Sequence, residues 1–281
     1  MLDLILAFTL AFSNPADFES IPGPAHPTEQ LIRLESTRPI VNAKAALVVD
    51  LDSETILYKK NDTEQLPIAS LTKIMTALII LENHSLDEIV TIAGEATQVG
   101  GSTMYLSTNE QISVENLLKG MLMQSGNDAA TALAIYHSGS VGAFVQEMNA
   151  KAKNMKLKDT SFQNPMGFDN PNNYSTVRDL LVISKALYKY DAVQEIVATP
   201  SARVTSADER LTHTLISTNA LLDGYLNVVG LKTGSTEEAL GCFIGITSGE
   251  HPQISIVLGS PNRFHDTKIL LDWSQKTFTY K

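Results

Sequence analysis

Apolar and polar positions follow two different periods along this chain, and the switches between them mark its elements. Ala45 to Asp50 (AALVVD) and Thr55 to Lys60 (TILYKK) are β-rich runs around Leu51-Asp52-Ser53-Glu54, which predicts a hairpin. From Ser70 to Asn83 the apolar Ile74, Ala77, Leu78 and Leu81 recur at helical spacing. Val114 to Gln124 and Asp128 to His137 predict two further helices, separated by Ser125-Gly126-Asn127, and Gly142 to Lys156 and Thr176 to Tyr190 two more. Val228 to Thr233, Cys242 to Ser248 and Ile254 to Leu258 read as strands, and His265 to Phe278 closes the chain as a helix. Strands at both ends of an inserted helical block predict an α+β fold, a sheet with a helical subdomain.

The N-terminus has a different character. Leu2 to Phe12 is apolar apart from Asp3 and Thr9, too short to span a bilayer comfortably but long enough for the core of an export signal. Ala11-Phe12-Ser13 offers a small-x-small cleavage site, although the first basic residue is Arg33 and the usual positive start is missing. Residues 1–13 are therefore expected to be a signal peptide or an N-terminal anchor. Pro15, Pro22, Pro24 and Pro27 make 14–38 an extended tether, because proline fixes φ and lacks a backbone donor. The folded domain is expected over 39–281.

Composition narrows the chemistry. The 281 residues are 43% apolar and 19% charged, enough for a sizeable core. A net charge of -10 without any basic run argues against nucleic acid, whose phosphates need local Lys and Arg. The single cysteine, Cys242, forbids an intramolecular disulfide and reads as a buried small side chain in a strand. His26, His84, His137, His213, His251 and His265 show no metal-ligand spacing and are expected mostly at the surface; neither a metal nor a cofactor is expected.

Three short motifs carry the candidate chemistry. In Ser70-Leu71-Thr72-Lys73 the first and last residues lie one turn apart on a helix, so Lys73 can reach the Ser70 hydroxyl. A serine is a poor nucleophile until a base takes its proton. Lysine serves only when neutral, which requires its pKa to fall from about 10.4 toward ~7–8. Burial and a nearby like charge both push it that way. In Ser125-Gly126-Asn127 the glycine permits a sharp turn that aims a hydroxyl and an amide into a cleft. In Lys232-Thr233-Gly234, at a strand end, Lys232 and Thr233 suit a substrate carboxylate, and Gly234 admits an extended peptide along the strand edge. Each motif alone has a plainer reading: a capping serine with a solvated lysine, helix punctuation, a solvated lysine at a strand end. The three in this order, each on the element its chemistry needs, form one constellation.

With these motifs the chain resembles the D-alanyl-D-alanine carboxypeptidase family of low-molecular-mass penicillin-binding proteins. The resemblance runs from about Ala45 to Phe278. It includes PIASLTKIMTALIILE around Ser70, Gly101-Ser102-Thr103-Met104, LLKGMLMQSGNDAATALA around Ser125, FQNPMG from Phe162, YSTVRDL from Tyr174, Thr218-Asn219 and RFHDTKILLDW from Arg263. It implies a DD-peptidase/β-lactamase-like fold, an antiparallel sheet flanked by helices. It also implies that Ser70 attacks the penultimate D-Ala carbonyl of a peptidoglycan stem peptide, with Lys73 as base and Ser125 and Asn127 assisting. The Ser70 and Ser235 backbone N–H groups would form the oxyanion hole, and Lys232 and Thr233 would hold the terminal carboxylate. β-Lactam antibiotics would acylate Ser70 in the same way.

Two departures qualify this. Ser235 and Thr236 follow the K-T-G motif where the family usually carries His or Tyr and then Thr. The chain also ends soon after Trp273, without the second β domain of many relatives, so membrane tethering would need a retained N-terminal segment. Three rival readings follow: a class A-like β-lactamase, a D,D-endopeptidase acting on cross-links, and a silent wall-binding protein. The first is weakened because no Glu is followed by Leu and Asn at the third and fourth places.

Overall fold

The structure is a computed structural model that describes residues 30–34 and 36–281. The expected signal or anchor over 1–13 and most of the tether lie outside the described residues.

Five antiparallel strands form the central sheet in the order Lys232–Thr236, Leu240–Ile246, Gln253–Ser260, Ala45–Asp50, Ile56–Lys60. The strand Ala45–Asp50 is buried on both faces, which its uninterrupted apolar run encodes. Ala45, Leu47 and Val49 enter the larger core, and Ala46 and Val48 enter a second cluster with Phe243, Val257, Leu270 and Leu271. Helix α7 (Arg263–Thr277) brings Leu270 and Leu271 and packs on that second face.

Between the hairpin and the edge strand lies the helical block: α1 (Lys73–Asn83), α2 (Val114–Met123), α3 (Asn127–Ser138), α4 (Val141–Asn154), α5 (Val177–Leu187) and α6 (Asp191–Ala198). Helix α1 is its axis, with every residue from Lys73 to Ile80 buried. It contacts α2, α3, α4 and α5, and α5 in turn packs on the sheet. Side-chain oxygens of Ser113, Ser140 and Thr176 cap α2, α4 and α5. The architecture is the α+β arrangement expected.

Differences are local. Leu31–Arg33, read above as tether, pairs with Phe278–Tyr280, so ordered structure begins before Arg38. Helix α6 and the hairpin Ser201–Thr205/Thr212–Ile216 were not anticipated. The strand expected over 228–233 bends at Gly230 (φ +73) and becomes regular only at Lys232. The expected mostly solvated histidines are a correction. His213 is buried between the Met104 carbonyl (2.8 Å) and Glu110 (2.7 Å), and His84 and His137 bond each other at 2.8 Å. Each has at least one partner ten or more residues away, which local polarity does not reveal. Cys242 is buried in its strand, and burial pushes its thiol up to about 11. Among the described residues no helix is long and apolar enough to cross a membrane.

Candidate active site

The expected helix at Ser70 begins as a tight 3-10 turn, Ala69–Thr72, that leads into α1. Ala69 holds a left-handed φ of +46, which swings the chain from the preceding extended segment into the helix axis. The Lys73 ammonium nitrogen then lies 3.0 Å from Ser70 Oγ. It also donates to Asn127 Oδ1 at 2.7 Å and to the Met166 carbonyl at 2.6 Å. Lys73 has no solvent exposure at all. Burial lowers its pKa well below the ordinary ammonium range, the Lys232 charge lowers it further, and the Asp128 charge opposes both.

Asn127 is the first residue of α3, placed by the turn that Gly126 opens. Both ends of its amide are engaged: Oδ1 accepts from Lys73 and Nδ2 donates to the Gly100 carbonyl at 2.7 Å. Its backbone N–H donates to Ser102 O at 2.7 Å. Gly101, with φ +79, must be a glycine here, since a β-carbon would fall 2.7 Å from Asn127 Nδ2. Next to it, Asp128 accepts from the Met104, Leu106 and Ala129 N–H groups and pins the 102–106 loop to the start of α3. Ser125 sits in the left-handed region (φ +65) and is nearly buried. Strain of this kind needs surrounding structure to hold it, which the 100–106 loop supplies.

The third motif lies on the edge strand Lys232–Thr236, which abuts the 3-10 turn. A β-carbon on Gly234 would lie 3.0 Å from the Ser70 nitrogen and 3.1 Å from Ala69 Cβ. The sequence reading gave this glycine to an approaching substrate; its close neighbour is the Ser70 turn itself. Lys232 is buried, donates to the Thr233 carbonyl at 2.8 Å, and is pushed down to about 7 by burial and by the Arg263 charge. Thr233 Oγ1 lies 2.6 Å from Thr218 Oγ1. Thr218 in turn donates through its backbone N–H to Met123 O at 3.0 Å, so it ties the edge strand to the end of α2, two residues before Ser125. Ser235 is exposed at the strand edge.

The structure thus brings Ser70, Lys73 and Asn127 into direct contact, and the electrostatic coupling of Lys73 to Lys232 joins the third motif to them. Sequence reasoning missed the partners that are backbone: the carbonyls of Met166 and Gly100. It also assigned no role to Thr218 or Arg263, although both lie in stretches where the family resemblance was noted. The Phe162–Gly167 segment supplies the first of these carbonyls, that of Met166. Asn164 Oδ1 accepts from the Met166, Gly167 and Phe168 N–H groups, which curls the segment so that Met166 O meets Lys73. A buried amine with three acceptors, next to a hydroxyl at a helix start, can take up and return a proton.

Comparison with known proteins places the chain in a family. The profile of the family described as D-alanyl-D-alanine carboxypeptidase, Peptidase S11, matches residues 33–262. The chain belongs to this D-alanyl-D-alanine carboxypeptidase family. It is 37% identical over 224 residues to the D-alanyl-D-alanine carboxypeptidase DacF of Bacillus subtilis, covering 78% of this chain and 57% of that one. To DacC of Escherichia coli it is 35% identical, covering 85% and 63%. The chain therefore spans about six-tenths of the length of these carboxypeptidases. A D-alanyl-D-alanine endopeptidase of Pseudomonas aeruginosa is 34% identical over 236 residues, covering 82% of this chain and 76% of that one. Among solved structures, the Streptomyces K15 DD-transpeptidase superposes with a TM-score of 0.79 at 30% identity, covering 86% of this chain and 100% of that one. The chain thus has a DD-transpeptidase-like fold.

Proposed function

We propose that the chain is a serine-type D-Ala-D-Ala carboxypeptidase that removes the terminal D-Ala of peptidoglycan stem peptides, with a catalytic domain that includes the Leu31–Arg33 strand. The observation that carries this reading is the solvent-free Lys73 amine 3.0 Å from Ser70 Oγ, its pKa lowered by burial and by Lys232. An amine kept neutral beside a hydroxyl is the base that a serine nucleophile requires.

The steps follow from the donors and acceptors present. Ser70 Oγ bonds to the penultimate D-Ala carbonyl carbon as its proton passes to Lys73 Nζ. The Ser70 and Ser235 backbone N–H groups receive the oxyanion; one such donor contributes roughly 3–4 kcal/mol in other hydrolases. The peptide C–N bond then breaks, and Lys73, assisted by Ser125, returns the proton to the departing amine. Water hydrolyses the remaining ester. Asn127 holds the Lys73 amine in line throughout. The substrate carboxylate is bound by Lys232 and Thr233, and it restores the full charge of Lys232. The enzyme acts outside the cytoplasm, exported by its N-terminal apolar segment.

A second reading, cleavage of D-Ala cross-links, is favoured by the endopeptidase relative, of which this chain covers more than it does of the carboxypeptidases. Two experiments test the assignment. Penicillin treatment followed by intact-mass and peptide mapping is expected to show one adduct, on Ser70; an unmodified Ser70 would refute the reading. Digestion of purified muropeptides is expected to release free D-Ala, and release of monomers from dimers without free D-Ala would favour the endopeptidase.

A further inference from the structure

The Lys232–Thr236 strand and the Ile56–Lys60 strand are the two edges of the central sheet. The first carries the candidate active site. The second borders a cavity of about 370 Å³ whose lining is cationic and aromatic, with Arg33, Arg38, Lys59, Tyr58 and Trp273 among its walls. None of its described lining residues is acidic, in a chain of net charge -10. None of the three cations forms an ion pair among the described residues. Of the acids near them in sequence, Asp62 pairs with Arg178 and Glu54 with Lys185, and Glu35 lies outside the described residues.

The cations are positioned rather than loose. The strand pairing of Arg33 with Phe278 places one at the cavity rim. The Arg38 guanidinium lies over the Tyr58 ring at 4.5 Å and donates to the Lys59 carbonyl, which fixes its plane. Trp273 stands edge-on to Tyr58 and to Phe278, with centroids 5.9 and 5.7 Å away. Its indole N–H is buried and has no hydrogen-bond partner among the described residues. Apolar surface completes the cavity, including the half-exposed Ile56.

We propose that this cavity binds the phosphodiester head group of an anionic lipid. Arginine forks match phosphate oxygens, and the Tyr58 and Trp273 rings flank them. The apolar wall favours an amphiphile over a bare anion, which would leave Ile56 and the aromatic rings in water. The two edge strands are separated by four inter-strand spacings, about 19 Å. A head group bound at one edge therefore holds the protein against a membrane surface with the opposite edge, and its cleft, directed away.

Trp273 is the single tryptophan of the chain, so its fluorescence reports this cavity alone. The test titrates the full chain with dihexanoyl phosphatidylglycerol below its micelle threshold, with the phosphatidylcholine analogue, and with inorganic phosphate. Saturable change is expected with phosphatidylglycerol, weakened by added salt. Binding at least tenfold weaker is expected for the other two probes, and for the Arg33→Gln/Arg38→Gln variant with phosphatidylglycerol. Penicillin acylation of Ser70 at an unchanged rate shows that the variant is folded. Equal response to phosphatidylcholine, equal affinity for free phosphate, unchanged affinity in the double variant, or no response to phosphatidylglycerol would each overturn the proposal.

Discussion

Gly167 approaches Ala69 so closely that a β-carbon on it would lie 1.9 Å from the Ala69 carbonyl oxygen. The same hypothetical atom would be 2.8 Å from the Ser70 nitrogen. Gly167 also has φ +92, which side chains disfavour. The segment that supplies the Met166 carbonyl to Lys73 is thus wedged under the turn that presents Ser70. Gly167→Ala must push these two apart. It is expected to destabilise the protein by more than about 1 kcal/mol and to lower the acylation rate by at least tenfold. Thermal melting and fluorescent-penicillin labelling measure the two effects; an unchanged labelling rate would mean that the wedge is not needed.

The two buried amines have opposite requirements. Lys73 must be neutral to accept the Ser70 proton, so kcat/KM rises as pH climbs through its lowered pKa. Lys232 must be charged to hold a carboxylate, and it is pushed down to about 7 in the free protein. Activity on a peptide with a free C-terminus is therefore expected to fall as pH rises past about 7, giving a bell whose limbs belong to the coupled pair. A C-terminally amidated analogue has no carboxylate for Lys232 to neutralise and should keep the rising limb while losing the falling one. Stopped-flow rates from pH 5 to 10 on both substrates decide it. Identical bells for the two would contradict the role given to Lys232.

Ser125 spends backbone strain on its position. A left-handed φ in a non-glycine residue costs about 1–2 kcal/mol, and glycine removes that cost while adding about 0.5–1 kcal/mol of chain entropy in the unfolded state. Ser125→Gly is therefore expected to hold or slightly raise the melting temperature, and at the same time to lower turnover by roughly 10²-fold through loss of the hydroxyl from the proton path. A clear fall in melting temperature would show that the hydroxyl stabilises the fold and that strain is not its main consequence.

What the sequence made legible is what depends on near neighbours. Ser70 and Lys73 meet because a helical turn separates them, and Asn127 is aimed by the glycine beside it. The apolar run Ala45–Asp50 announces a central strand. Other parts are set by partners far along the chain. Met166 and Gly100 act through carbonyls that every residue type possesses. The hairpin strand Thr212–Ile216 is mostly polar, and its buried His213 is explained by the Met104 carbonyl and Glu110, both about a hundred residues earlier. In 228–231 the apolar run promised a regular strand, yet Gly230 turns the chain through a conformation its neighbours do not reveal.

Asp128 acts on the site from behind. Its carboxylate takes both Met104 and Leu106 N–H groups at 3.0 and 3.1 Å, and its charge is the influence that favours the ammonium form of Lys73. Asp128→Asn removes the charge and turns one acceptor into a donor that faces a backbone N–H. The first change lowers the Lys73 pKa further, so the rising limb of the acylation profile should move to lower pH. The second leaves a buried donor unsatisfied and should cost about 1–3 kcal/mol of stability, with loosening of the 102–106 loop that backs Asn127. The maximal acylation rate is then expected to fall even as the limb shifts down, a combination that a general loss of folding does not produce. Pre-steady-state acylation by a fluorescent penicillin between pH 4 and 9, run below the melting temperature of the variant, separates the two. A limb that stays in place or moves upward would show that Asp128 does not act electrostatically on Lys73.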